Sequence, residues 1–343
     1  MTGLSTRAAR TIVVAALCAS VNRAAAQTPT GRIVSAANVF LATLDPTQRK
    51  SVSFAFDDEQ QRARWSNFPQ GIFKRAGLPM GELNPTQRSA AMALVSAALS
   101  KRGFEKIQQI VDADEVLKTT DGNGRLLFGK DLYYVSILGT PSEKTPWMVQ
   151  FGGHHLALNI TIAGERGILT PSLSGAQPAL YTANGKTVRP LGQESDKALA
   201  LLNSLDSTQR SQAILKYRVA DLVLGPGQDG KTIQPEGLKA SAMDETQRAM
   251  LVDVIAEWTG IVHESAAAGR MNEVKTGLGE TWFAWSGPTT ATPGRNITAY
   301  YRIQGPNLVI EYAPQQMGGD PSNHIHTIYR DPTNDYGRKV TGR

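Results

Sequence analysis

The chain has 343 residues, 41% of them hydrophobic, and a single cysteine, which excludes an internal disulfide framework and metal sites built from several thiolates. Its 36 basic and 30 acidic side chains give a formal charge of +6. Both signs are interspersed and no basic block appears, so the electrostatic footprint of a nucleic-acid binder is missing.

At the start of the chain, Arg7 and Arg10 precede a small, apolar run from Thr11 to Val21, and Ala24-Ala25-Ala26 offers a cleavage site. Residues 1–26 therefore read as a signal peptide removed near Ala26, and the product is expected to be periplasmic or secreted. The apolar run is about half of the ~20 residues a membrane-spanning helix needs, so no membrane span is expected. Cys18 leaves with the leader, and with it any thiol for catalysis or zinc binding. Leu17 stands where a lipidation signal carries a small residue, which argues against an anchor at Cys18. Loss of Arg7, Arg10 and Arg23 lowers the formal charge from +6 to +3.

Four segments downstream share one helix-start design: Leu44-Asp45-Pro46-Thr47-Gln48-Arg49, Leu83-Asn84-Pro85-Thr86-Gln87-Arg88, Leu205-Asp206-Ser207-Thr208-Gln209-Arg210 and Met243-Asp244-Glu245-Thr246-Gln247-Arg248. Asp or Asn caps the orphan backbone N–H groups, and Gln three residues on reaches back as in a capping box. Pro46 and Pro85 occupy the first helical position, where a missing N–H costs nothing. The pairs are spaced alike and lie about 160 residues apart, the pattern of an internal duplication. Ala91, Leu94, Val95 and Ala98 form an apolar helical stripe that Leu251, Val254, Ile255 and Trp258 repeat.

After each helical part the period shortens toward two. Strands are expected over Leu132–Leu138 and Trp147–Ile162, then over Thr281–Ser286, Ile297–Ile303, Leu308–Tyr312 and His324–Tyr329. The connections are too short for parallel crossovers, so the sheets should be mainly antiparallel. The expected fold is α+β, with two pseudo-symmetric halves, 27–195 and 196–343, each helices followed by a sheet and the two packed as one body.

Four of the five histidines fall in two clusters, His154-His155 after Gly152-Gly153 and His324-x-His326. Strand residues two apart share a face, so His324 and His326 can grip one ion. Of the first pair, His154 shares its face with Leu156 and Leu158, whereas His155 shares its face with Ala157 and Asn159. His155 is thus the expected third ligand, with His154 as substitute. Three imidazoles without thiolate suit a divalent transition metal such as zinc, copper or iron and leave a position open for water or substrate. Glu311 and Glu280 are the candidate catalytic carboxylates, and Tyr329 or Asn159 the candidates to orient the rings. His263 reads as a solvated residue late in a helix. Arg64, Trp65 and Asn67, with Asn159, are candidates to line a substrate cleft.

No serine-hydrolase elbow, phosphate loop, dinucleotide fingerprint or HExxH helix is present. The segments Arg64 with Asn67-Phe68-Pro69, Trp147 to Asn159, Arg189-Pro190-Leu191-Gly192-Gln193-Glu194 and His324-Ile325-His326 resemble the DUF thirty-five-hundred family, secreted proteins of unknown function. The resemblance covers nearly the whole chain beyond the leader, and its GGHHLALN-like segment is the specific part. It implies that the GGHH segment matters, and that an acid would be usual where this chain has Gln177.

These features support an exported metal-binding protein, a metal-dependent hydrolase or oxidoreductase if it is an enzyme. The rival is a non-catalytic module binding a glycan or small solute on Trp65, Trp147, Trp282 or Trp285.

Overall fold

The computed structural model describes residues 27–121, 126–317 and 319–342, so the expected signal peptide lies outside the described residues. The chain opens with helices α1 (Pro29–Ala42) and α2 (Pro46–Val52), strand β1 (Ser53–Phe54), a short helix α3 (Glu59–Arg62) and β2 (Leu78–Pro79). Helices α4 (Pro85–Ala98) and α5 (Lys101–Thr120) follow. Then come β3 (Tyr134–Leu138), β4 (Trp147–Gly152), β5 (Leu156–Ala163), β6 (Arg166–Ile168), β7 (Ser172–Ala176) and the hairpin β8 (Tyr181–Ala183) and β9 (Lys186–Val188). The later half runs α6 (Gly192–Ser204), α7 (Ser207–Ala213), β10 (Leu238–Lys239), α8 (Glu245–Thr259), α9 (Glu264–Thr276), β11 (Trp282–Ser286), β12 (Tyr300–Gly305), β13 (Leu308–Pro314), β14 (Ile325–Arg330) and a last helical turn α10 (Arg338–Thr341).

The fold is α+β, as the change of period predicts. One twelve-stranded sheet runs through the molecule in the order β1-β3-β4-β5-β7-β14-β13-β12-β11-β10, with β2 on β3 and β6 on β5. All named pairs are antiparallel except β1 with β3. The order reads alike outward from the central β7–β14 pair. Two large apolar clusters are buried: one gathers Leu94, Val95, Val149 and Ile160 with Ile261 and Val262, the other Leu251, Val254, Trp285 and Tyr312 with Ala176 and Leu191.

The four predicted helix starts all form capping boxes, at Asp45, Asn84, Asp206 and Asp244. Their glutamines have a second task that spacing could not show. Gln48 and Gln87 exchange amide hydrogen bonds of 3.3 and 2.7 Å, and Gln209 and Gln247 do the same at 2.9 Å each. Each amide pair ties two helix N-termini to one another, adding a tertiary link to caps that are individually worth about 1 kcal/mol.

The α4–α5 and α8–α9 connections also meet. Ser100 N–H donates to the Ile261 carbonyl, Ser100 Oγ to the Gly260 carbonyl, and His263 N–H to the Ala98 carbonyl. Gly103 sits so close that an added methyl group would collide with the Ile261 carbonyl. A Gly103→Ala variant is therefore expected to lose roughly 1–3 kcal/mol of stability and to unfold at a lower denaturant midpoint, overpacking outweighing the better helix propensity of alanine. An unchanged urea unfolding midpoint would show that the crossing has room to relax.

Candidate metal centre

The site is assembled at one end of the central strands. Backbone pairing places Gly175 of β7 opposite His326 of β14 and Ser174 opposite Leu156 at the start of β5, so the beginnings of β5 and β14 flank β7. Residues 153–155 lie in the tight β4–β5 turn, where Gly153 N–H donates to the Leu156 carbonyl. Strand alternation therefore does not govern His154 and His155. Both rings turn to the same side and stand 3.7 Å apart, centroid to centroid.

Three ring nitrogens converge. His155 Nε2 lies 3.3 Å from His324 Nε2, which lies 3.1 Å from His326 Nε2. Two nitrogens bound tetrahedrally to one ion at about 2.0–2.1 Å would stand about 3.3 Å apart, so the spacing suits a shared cation. The other ring nitrogens have partners that orient them. His155 Nδ1–H donates to Asp114 Oδ1 at 2.7 Å, and His324 Nδ1–H to the Met317 carbonyl at 2.7 Å, which leaves both Nε2 lone pairs facing inward. The Asn67 amide nitrogen lies 3.2 Å from His326 Nδ1. Turned by half a rotation it would present its oxygen instead, so Asn67 can support His326 in either tautomer.

Asp114 is the centre's buried anchor. It projects from α5 with no exposure, and its second oxygen accepts from Tyr133 Oη at 2.7 Å. His154 Nδ1 lies 3.5 Å from Asp114 Oδ1. Together these form two overlapping groups able to hold a metal ion, His155 with His324 and His326, and Asp114 with His154 and His155. Buried Arg75 donates to the carbonyls of Ser66, Phe68 and Gly153 at 2.7–2.8 Å, and so clamps the loop carrying Asn67 onto the histidine turn.

Burial sets the protonation states. It would raise the Asp114 carboxyl, but the charges and hydrogen bonds of His155 and His154 hold it well below the usual carboxylate range. Burial, then the neighbouring His154, lowers His155 to about 4 against the partial opposition of Asp114. Burial and His155 lower His324 to about 4, and burial with both neighbouring rings takes His326 well below its ordinary value. At neutral pH the rings are uncharged and able to ligate.

Above an unfolded imidazole pKa near 6.5 neither state takes up these protons, whereas between about 6.5 and 4 the unfolded chain binds them preferentially. The metal-free protein is expected to lose on the order of 3 kcal/mol for each of His155 and His324 as pH falls through that window. Equal thermal midpoints at about pH 7.5 and 5 would contradict the burial of these rings as neutral bases.

A cleft of 370 Å³ opens over the centre, lined by His154, His324 and His326 together with Asn67, Phe68 and Phe128. Gln177, the position where the resemblance implies an acid, lines the same cleft. The histidine clusters and Asn67 are thus brought together.

The other candidates lie elsewhere. Glu311 is fully buried, and its carboxylate accepts from Tyr300 Oη at 2.6 Å and from the N–H groups of Val223 and Leu224. Glu280 is an exposed partner of Lys239. Neither joins the groups of metal-ligating atoms found among the described residues. Asn159 accepts from Gln150 and donates to the Pro171 carbonyl. Arg64 and Trp65 line a separate, narrow crevice with Asn159, where Trp65 Nε1–H donates to Tyr336 Oη.

The ring-orienting partners also need correction. Tyr329 is at odd register on β14 and points to the opposite face, where Arg270 donates to its hydroxyl. Asp114 and the Met317 carbonyl take the expected place of Tyr329 and Asn159. His263 is buried, not solvated, and its ring caps the start of α9, not its end. Trp147 and Trp285 are wholly buried and offer no stacking surface to a ligand.

Asp114, Gly175 and the Met317 carbonyl escaped the sequence reading. Asp114 carried one usable signal, an acid among Ile107, Ile110 and Leu117 on the apolar stripe of α5, where an unpartnered charge would be very costly.

Fold and site together define an α+β protein with a buried histidine–aspartate centre at the floor of an open cleft. Over residues 26–338 the chain matches the family described as Protein of unknown function (DUF3500), and it belongs to that family. No curated protein and no solved structure is significantly similar to it.

Proposed function

We propose that this is an exported metal-dependent enzyme acting on a small molecule, with one divalent transition ion held by His155, His324 and His326. The convergence of the three rings carries the reading, with His324 Nε2 3.3 Å from His155 Nε2 and 3.1 Å from His326 Nε2. Zinc, copper and iron all suit three imidazoles. Such an ion supplies a Lewis acid or an activated water for hydrolysis, or in the case of copper or iron an electron acceptor for oxidation. His154, facing the cleft and backed by Asp114, is the group placed to accept a proton from a bound molecule. Export is part of the same proposal, and amino-terminal sequencing of the periplasmic or secreted protein should begin near Gln27. The mirrored strand order and the paired glutamine clasps support reading the halves as descendants of one duplicated unit, packed as a single body.

The test is metal analysis of protein purified without a histidine tag, followed by titration of the chelator-treated chain with zinc, copper(II) and iron(II). One equivalent of at least one of them should bind. Asp114→Asn keeps the side-chain shape but weakens the hold on His155, and is expected to reduce affinity about 10–100-fold. Failure of all three ions to bind stoichiometrically would remove the metal reading.

A further inference from the structure

We infer that the cleft over the histidines selects an uncharged, largely apolar small molecule that turns one oxygen toward the centre. The inference rests on the proposed function for the role of that oxygen, because an ion held by three imidazoles keeps a position for an oxygen donor. The apolar preference stands on the cleft itself.

Single exposed apolar side chains are ordinary, but clustered ones mark binding surfaces. Of the seven large apolar side chains left exposed among the described residues, three line this one cleft: Phe68, Ile72 and Met317, at 53%, 61% and 78% exposure. Leu126 and Phe128 extend the apolar wall. Covering such side chains favours a ligand with an apolar body.

The polar part of the lining is chiefly neutral, with amides at Asn67, Gln177, Gln228 and Gln315. Asp221 is the one acidic residue among the described lining residues, and its carboxylate already accepts from Gln315 and from the Leu222 N–H. No lysine or arginine is among the described lining residues. With no ion bound, an anionic ligand would therefore approach Asp221 and buried Asp114 without a matching cation on the described walls, so the walls by themselves favour a neutral ligand. A volume of 370 Å³ fits a molecule near the small end of the usual ligand range.

The experiment measures binding of 4-ethylphenol, 4-ethylbenzoate and inorganic phosphate by calorimetry, on zinc-treated and chelator-treated mature protein, with metal content determined in parallel. On the chelator-treated protein, where no ion can take up a carboxylate, the phenol is expected to bind at least about fivefold more tightly than the benzoate. Ile72→Ser, at an exposed position, and Leu126→Ser, at a half-buried one, should each weaken the phenol about fivefold without changing metal content. Preference of the chelator-treated protein for benzoate or phosphate, indifference to both rim substitutions, or no saturable phenol binding at about 10 mM would overturn the inference. Rim-dependent phenol binding by a protein that takes up no metal would uphold the apolar preference and remove only the metal reading. Stoichiometric zinc with a rim of no consequence would do the reverse.

Discussion

The His324→Ala protein is expected to retain essentially none of the metal held by the parent chain, with affinity reduced on the order of a thousandfold. His324 stands between the other two rings, 3.3 Å from His155 Nε2 and 3.1 Å from His326 Nε2, so its removal leaves two nitrogens and no centre to the triad. The substitution also frees the Met317 carbonyl, which lies beside the cleft. Circular dichroism should therefore report a folded protein. Two readings separate loss of the site from loss of the fold. Metal per chain should drop to background, and zinc, which raises the thermal midpoint of the parent by binding the native state, should leave the variant's midpoint in place. A variant that still holds one equivalent would place the ion elsewhere.

Gly175→Ala is the second large effect, and it acts without removing a ligand. The added methyl would stand 2.8 Å from the Ile325 carbonyl oxygen, 3.0 Å from His155 Cδ2 and 3.1 Å from His326 Cδ2. Gly175 N–H also donates to the His155 carbonyl, so β7 cannot move aside without loosening the histidine turn. Either the β7–β14 ladder spreads or the two rings swing apart. The expected outcome is roughly 1–3 kcal/mol of lost stability, with zinc affinity down on the order of a hundredfold. Gly279→Ala, where nothing lies within 4 Å of the added methyl, is the matched control and should change neither quantity. Parent-like zinc binding by Gly175→Ala would mean that the rings do not depend on this gap.

The second variant turns on β7, the strand that the sequence hides best. Ser172-Leu173-Ser174-Gly175-Ala176 is built of small residues and carries little of the alternation that marks β4 or β12. Its small size is what its place requires, because the rings of His155 and His326 occupy the space a side chain at Gly175 would fill. Glu311 shows the converse. As a lone carboxylate on a strand it has the look of a catalytic group, yet the chain passing over the sheet at Val223 and Leu224 uses both its oxygens.

Sequence alone determined what depends on neighbours a few residues apart: the four capped helix starts, the apolar stripes of α4 and α8, the positions of β3, β11, β13 and β14, and the shared face of His324 and His326. Those features arise from local hydrogen bonding and from fixed periods of 3.6 and 2, which the order of residues displays directly. Tertiary structure alone decided the pairing of β7 with β14, the turn that sets both His154 and His155 on one side, and the approach of Asp114 from α5. His155 and His324 are 169 residues apart, and their meeting depends on strand pairing and burial across the whole sheet, which leave no periodic trace near either residue.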